Sequence, residues 1–128
     1  VVCALAGACG GESPASPPDD GIEFADDEIR VTLARVPELT RIEGSLVVAE
    51  AQTIVIHPSA DEYRAFSNVC THAGCGIWLY AERRFKCQCH GSEYDVDGSN
   101  VVGPATKPLT RRGVTVDSRA GVLRIARR

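Results

Sequence analysis

Two short stretches decide how this chain reads: Cys70-Thr71-His72-Ala73-Gly74-Cys75 and Cys87-Gln88-Cys89-His90-Gly91-Ser92-Glu93-Tyr94-Asp95. Eleven residues separate Cys75 from Cys87, and each stretch sets a histidine within two positions of a cysteine. Thiolate sulfur and imidazole nitrogen at this density are metal-ligand chemistry. Gly74, Gly76 and Gly91 permit tight loops with backbone N–H groups turned inward. On the residues alone, three arrangements compete. A structural zinc site of two cysteines and two histidines meets an unusually tight Cys-x-His spacer and leaves two cysteines over. A purely disulfide arrangement leaves the histidines unexplained. A two-iron cluster, with two cysteines on one iron and two histidines on the other, uses both residue types.

Outward from these stretches the pattern is β. Ile29, Val31 and Leu33 alternate with Arg30, Thr32 and Ala34, as in a half-buried strand. Ser45–Ala49 and Thr53–His57 predict a hairpin, and Tyr63–Val69 a further strand. Arg84–Cys87 and Glu93–Val96 predict short strands flanking the second stretch. Gly113–Asp117 and Gly121–Ile125, joined by Ser118-Arg119-Ala120, predict a closing hairpin. No segment of ten or more residues has helical periodicity, so the fold class is all-β, a small sandwich or partly open barrel.

The 128 residues suit one domain with a real core, and their 44% apolar and 24% charged content is that of an ordinary globular chain. A net charge of −3 offers no footprint for nucleic acid. No apolar run reaches the roughly 20 residues that span a bilayer. Methionine is absent, so the chain is expected to be a processed or trimmed product. Residues 1–9 read as the end of an apolar segment, and 10–21, with Pro14, Pro17 and Pro18, as a flexible linker. Residues 1–27 are therefore expected to be an export or tether remnant followed by a linker. Leu5-Ala6-Gly7-Ala8-Cys9 resembles a bacterial lipoprotein box, although Ala6 replaces the usual branched residue. Cys9 would then be a lipid anchor and the N-terminus a membrane attachment.

The two stretches closely resemble the signature of the Rieske [2Fe-2S] family, in its high-potential respiratory and bacterial periplasmic type. The likeness covers roughly residues 28–128. It implies one [2Fe-2S] cluster, with Cys70 and Cys87 on the buried iron and His72 and His90 on the outer iron. It implies a Cys75–Cys89 disulfide, and hence an extracytoplasmic compartment. Ser92 and Tyr94 stand where high-potential members carry hydroxyls, one toward a bridging sulfide and one toward a ligand cysteine. Gly103-Pro104-Ala105-Thr106-Lys107-Pro108-Leu109 resembles the proline loop that covers the cluster. The implied fold is an antiparallel β-sandwich with a small cluster-binding subdomain inserted at about residues 68–108.

The implied function is electron transfer by a small exported or membrane-tethered carrier, or by the small subunit of a redox enzyme. No independent catalytic site is expected. The partner would be a cytochrome, a copper protein or a larger redox subunit. The alternative is the Rieske subunit of a quinol:cytochrome c oxidoreductase, with quinol as donor; a zinc-stabilised structural domain is a minor one. Ala73 stands where respiratory-complex members commonly carry a larger residue, which favours the carrier. A Rieske oxygenase fails on counting, since its mononuclear iron needs two further histidines and only His57 is spare. Trp78 and Tyr80 are expected in the core and His57 in solvent. Arg83, Arg84 and Lys86 are expected to be a solvated basic hairpin tip or a dock for an acidic partner.

Overall fold

The computed structural model describes residues 20–71 and 74–127. Twelve strands run through them: β1 (Ile22–Phe24), β2 (Glu28–Thr32), β3 (Ser45–Val48), β4 (Thr53–Ser59), β5 (Glu62–Ser67), β6 (Leu79–Ala81), β7 (Arg84–Lys86), β8 (Glu93–Tyr94), β9 (Asn100–Val102), β10 (Arg111–Arg112), β11 (Val114–Asp117) and β12 (Val122–Ala126). They form three four-stranded sheets, ordered β1-β2-β12-β11, β10-β5-β4-β3 and β6-β7-β8-β9, and all pairings are antiparallel.

The layering follows from β4. Its residues are buried from Thr53 to Pro58, so it cannot be a strand with one wet face. Side chains alternate across a strand, and on β4 both sets find a core. Val55, with Ala65 of β5, packs against Ile29, Val31, Leu123 and Ile125 of the first sheet. Ile54 and Ile56, with Phe66, pack against Phe85, Tyr94 and Tyr80 of the third. The β10-β5-β4-β3 sheet is thus the middle of three layers. The third sheet lies wholly between β5 and β10 in the chain, which makes it an insertion into a two-sheet sandwich. A single helical turn, α1 (Pro37–Thr40), opens on Pro37 and buries Leu39 in the first core.

Several expectations change. β2, expected to run on through Leu33, ends at Thr32, and Leu33 opens a 3-10 turn closed by Val36 N–H on Leu33 O. Ala49 likewise opens a 3-10 turn that ends on Gln52 at φ 49°. Glu93–Val96 shortens to Glu93–Tyr94 because the Asp95 carboxylate accepts the Asp97 and Ser99 N–H groups and turns the chain. Upstream, Ile22–Phe24 already pairs with Glu28–Thr32, so sheet structure precedes residue 28. The proposed linker up to residue 19, with Cys3 and the lipid-anchor candidate Cys9, lies outside the described residues.

His57 is not in solvent. It is 5% exposed, stacked on Tyr63 at 4.1 Å, with Nδ1 3.2 Å from Arg41 O. Its position on the doubly covered β4 forces this burial. The basic run lies at the exposed β6–β7 hairpin, as expected, but its charges are paired. Arg83 pairs with Glu43, Arg84 with Glu93 and Lys86 with Glu82.

Candidate metal centre

The two sequence stretches fold into two loops with one backbone plan. In the first, Cys70 N–H donates to Cys75 O (2.7 Å) and Gly74 N–H donates back to Cys70 O (2.9 Å). In the second, Cys87 N–H donates to Ser92 O (2.8 Å) and Gly91 N–H to Cys87 O (3.0 Å). Each loop is a cysteine, a left-handed glycine four residues on, and a carbonyl five residues on. Gly74 and Gly91 have φ of 74° and 81°, the region that glycine enters without steric cost. The β6–β7 hairpin joins the two loops, and the Cys75–Cys89 disulfide, with Cα atoms 6.5 Å apart, closes them on each other.

Cys70 and Cys87 begin the two loops. Each is 1% exposed, and neither is in a disulfide. Burial pushes the Cys87 thiol up, and its hydrogen bond with Cys70 adds to this. The backbone N–H groups of Cys89 and His90 pull the other way, as donors to an anionic sulfur do. His90, by contrast, is exposed at the outer end of its loop. His72, like Ala73, lies outside the described residues.

The two hydroxyls are held from different sides. Tyr94 is fully buried, with its Oη 3.5 Å from Cys70 Sγ. That oxygen accepts the Thr71 N–H (3.1 Å) and lies 2.9 Å from Thr71 Oγ1. Thr71 Oγ1 itself donates to Lys107 O at 2.8 Å. With the threonine proton committed to Lys107, the tyrosine proton is directed to Thr71 Oγ1 or Cys70 Sγ. Burial and the neighbouring Cys70 push the Tyr94 hydroxyl above its ordinary range, so it stays a donor at neutral pH. Ser92, also fully buried, accepts the Ala105 N–H at 3.0 Å, leaving its own proton to donate elsewhere. The 103–109 segment thus attaches to both loops, through Lys107 to the first and through Ala105 to the second. Ala105 and Leu109 are buried in the core beneath them.

Residues 30–116 match a family model described as Rieske [2Fe-2S] domain. That is more than half of the chain. The chain belongs to the Rieske [2Fe-2S] domain family. Curated relatives include the cytochrome b6-f complex iron-sulfur subunit 1 of Nostoc sp. PCC 7120, 60% identical over 42 residues, which is 32% of this chain and 24% of that one. The chloroplastic cytochrome b6-f complex iron-sulfur subunit of Chlamydomonas reinhardtii is 49% identical over 57 residues, 44% of this chain and 28% of that one. The chain therefore matches only about a quarter of the length of these relatives. Among solved structures, the plasma membrane Rieske protein of Synechocystis PCC 6803 superposes with a TM-score of 0.56 at 25% identity, covering 74% of this chain and 93% of that one. A ferredoxin of a carbazole 1,9a-dioxygenase from Nocardioides aromaticivorans, at 22% identity and a TM-score of 0.55, shares the fold, over 76% of this chain and 96% of that one.

A Rieske domain implies one [2Fe-2S] cluster, and the residues present fit it. Two buried sulfurs, with N–H donors aimed at one of them, form a site where a negative sulfur needs a cation beside it. His90, in the second loop, is exposed to solvent. Among the described residues no three His, Cys, Asp or Glu side chains converge on one point; a cluster drawing two protein donors to each iron requires no such triple.

Two features were not legible beforehand. Thr71 stands inside the quoted stretch, but nothing in its sequence position shows that it joins Tyr94 to Lys107. Trp78, expected in the core, is 56% exposed. Its indole lies over Gly76, where an added Cβ would sit 2.8 Å from Nε1, so the ring packs on the backbone of the first loop instead of under it. Tyr80 is in the core, with its hydroxyl donating to Glu43.

Proposed function

We propose that this Rieske domain takes up and passes on single electrons as a small exported or membrane-tethered carrier, or as the small subunit of a redox enzyme. The observation that carries this is the buried Cys70–Cys87 pair with the Tyr94 hydroxyl 3.5 Å from one sulfur. When bound, the [2Fe-2S] cluster supplies one-electron redox chemistry, in a window of about −150 to +300 mV for a two-histidine site. Cys70 and Cys87 would hold one iron, and His72 and His90 the other. With the cluster bound, Tyr94 and Ser92 would donate hydrogen bonds toward sulfur, withdrawing electron density and setting the domain toward the high end of that window. The 103–109 segment, tied to the first loop through Lys107 and to the second through Ala105, would shield the site from water. His90, exposed at the loop end, presents the outer side of the site to a redox partner.

The b6-f names of the relatives favour a second reading, a quinol-oxidising membrane complex. The small Ala73 favours the carrier. The disulfide suits an oxidising compartment outside the cytoplasm, with membrane association through the N-terminal segment. The first test is elemental: purified protein should contain two irons and two acid-labile sulfides and be coloured. Zinc alone would overturn the proposal. Anaerobic mixing of the oxidised holoprotein with a short-chain quinol then separates the two readings, since only the quinol-oxidising domain is reduced at once.

A further inference from the structure

The inserted sheet is tied to the middle sheet at a point that the cluster site does not use. Glu43, just before β3, is fixed to β4: its N–H donates to His57 O at 2.7 Å, and the His57 N–H donates to Gly44 O at 3.1 Å. Gly44 leaves no slack, because a Cβ there would lie 2.0 Å from Glu38 O of α1. The Glu43 backbone is therefore part of the middle layer, and its carboxylate reaches into the next one. It accepts the Tyr80 hydroxyl of β6 at 2.6 Å. It also pairs with Arg83 of the β6–β7 turn, which donates in addition to Pro58 O. Burial pushes the Tyr80 hydroxyl above its ordinary range, so it stays a donor.

Tyr80 is the first of three rings in one row. It stands opposite Phe85, with ring centroids 5.1 Å apart, and Phe85 stands opposite Tyr94. All three are buried in one core with Ile54, Ile56 and Phe66, where close packing means that one ring does not shift without its neighbours. The last ring carries the hydroxyl 3.5 Å from Cys70 Sγ. A hydrogen bond weakens steeply as its geometry departs from alignment. At the other edge of the sheet, Arg64 of β5 holds Val96 O and Asp97. Release of the Glu43 end alone would let the row turn about that second tie.

We propose that Glu43 is a positioning residue for electron transfer: anchored in the middle sheet, it holds Tyr80 and, through the ring row, sets the Tyr94 hydroxyl on the Cys70 sulfur, and with it the potential of the site. The sign separates this role from a charge effect. A carboxylate acting through space disfavours the added electron, so its removal raises the potential. Lost positioning weakens a donor to sulfur and lowers it.

The inference rests on the electron-transfer reading, and its test keeps the two apart. The holoprotein of each variant, with iron and sulfide content checked, is titrated against redox dyes of known potential. Tyr80→Phe, which keeps the ring and every charge, and Glu43→Ala should each lower the reduction equilibrium constant by about threefold, which at 59 mV per tenfold is about 30 mV. Glu43→Gln keeps an acceptor for Tyr80 and should hold the parent potential. Added to Tyr94→Phe, Tyr80→Phe should have no further effect. Glu28→Ala, which removes an ion-paired carboxylate of the first sheet, is the control and should match the parent. If Glu43→Ala assembles no cluster, Tyr80→Phe decides alone. A parent potential in Tyr80→Phe, or an equal fall in the Tyr94→Phe background, would overturn the positioning role. A parent protein without iron would instead overturn the electron-transfer reading.

Discussion

The two loops share a backbone and divide the chemistry differently. Counting from Cys70 and Cys87, both have glycine at the fifth position in a left-handed conformation, and both close the same pair of hydrogen bonds. The histidine, however, is third in one loop and fourth in the other. The disulfide cysteine is sixth in the first and third in the second. Ser92 occupies the place of Cys75. One scaffold therefore carries two side-chain assignments, and the exchange lets the loops bond to each other. A cysteine at the sixth position in both would displace Ser92, and one at the third position in both would displace His72. The lesson is that the shared backbone fixes where the two buried cysteines stand, and the remaining positions are free to specialise.

Loss of the shared position should have the largest effect. Cys70→Ser and Cys87→Ser should each abolish cluster assembly, measured as iron and sulfide content. If one variant retains full content, the two loops are not equivalent in this respect. Next comes the exchanged position. The disulfide closes a separation of 14 residues, and Cys75→Ala with Cys89→Ala should cost about 3 kcal/mol in denaturant unfolding of the holoprotein.

Tyr94→Phe leaves the Thr71 N–H without its buried acceptor, and Ser92→Ala does the same to Ala105 N–H. Each should cost about 1–3 kcal/mol and lower the midpoint potential by removing a donor to sulfur. A potential unchanged in both would mean that the hydroxyls serve only the fold. The smallest and sharpest comparison is Gly74→Ala against Gly91→Ala. Among the described residues an added Cβ meets nothing within 4 Å at either site, so the expected cost is conformational, about 1–2 kcal/mol. It should be equal within error; a twofold difference would show that the shared hydrogen bonds hide unequal rigidity.

Much of this was legible in the chain itself. The two stretches carried the family likeness, and the hairpins at Ser45–Ala49 with Thr53–His57 and at Gly113–Asp117 with Gly121–Ile125 were visible from β-branched runs and turn residues. What was hidden depended on layering. His57 ends an apolar run and reads as a strand terminus, but β4 is the strand covered from both sides. Trp78 reads as core by its size. Its exposure comes from Gly76, whose missing side chain lets the ring lie outside the loop. The basic run reads as a charged tip because Glu43, which takes Arg83, lies forty residues earlier in the chain. The role of Thr71 depends on Lys107, brought over it only when the 103–109 segment folds back.

The disulfide also makes a covalent ring of everything from Cys75 to Cys89, the β6–β7 hairpin included. Its turn residues Glu82 and Arg83 are exposed, with φ of 56° and 61°. A single trypsin cut after Arg83 would open that ring without dividing the molecule. The nicked chain would run as one species until a reductant is added, and then as two. Peptide mapping of the nicked protein, with and without reductant, thus reads out which cysteines are joined with no need of the metal.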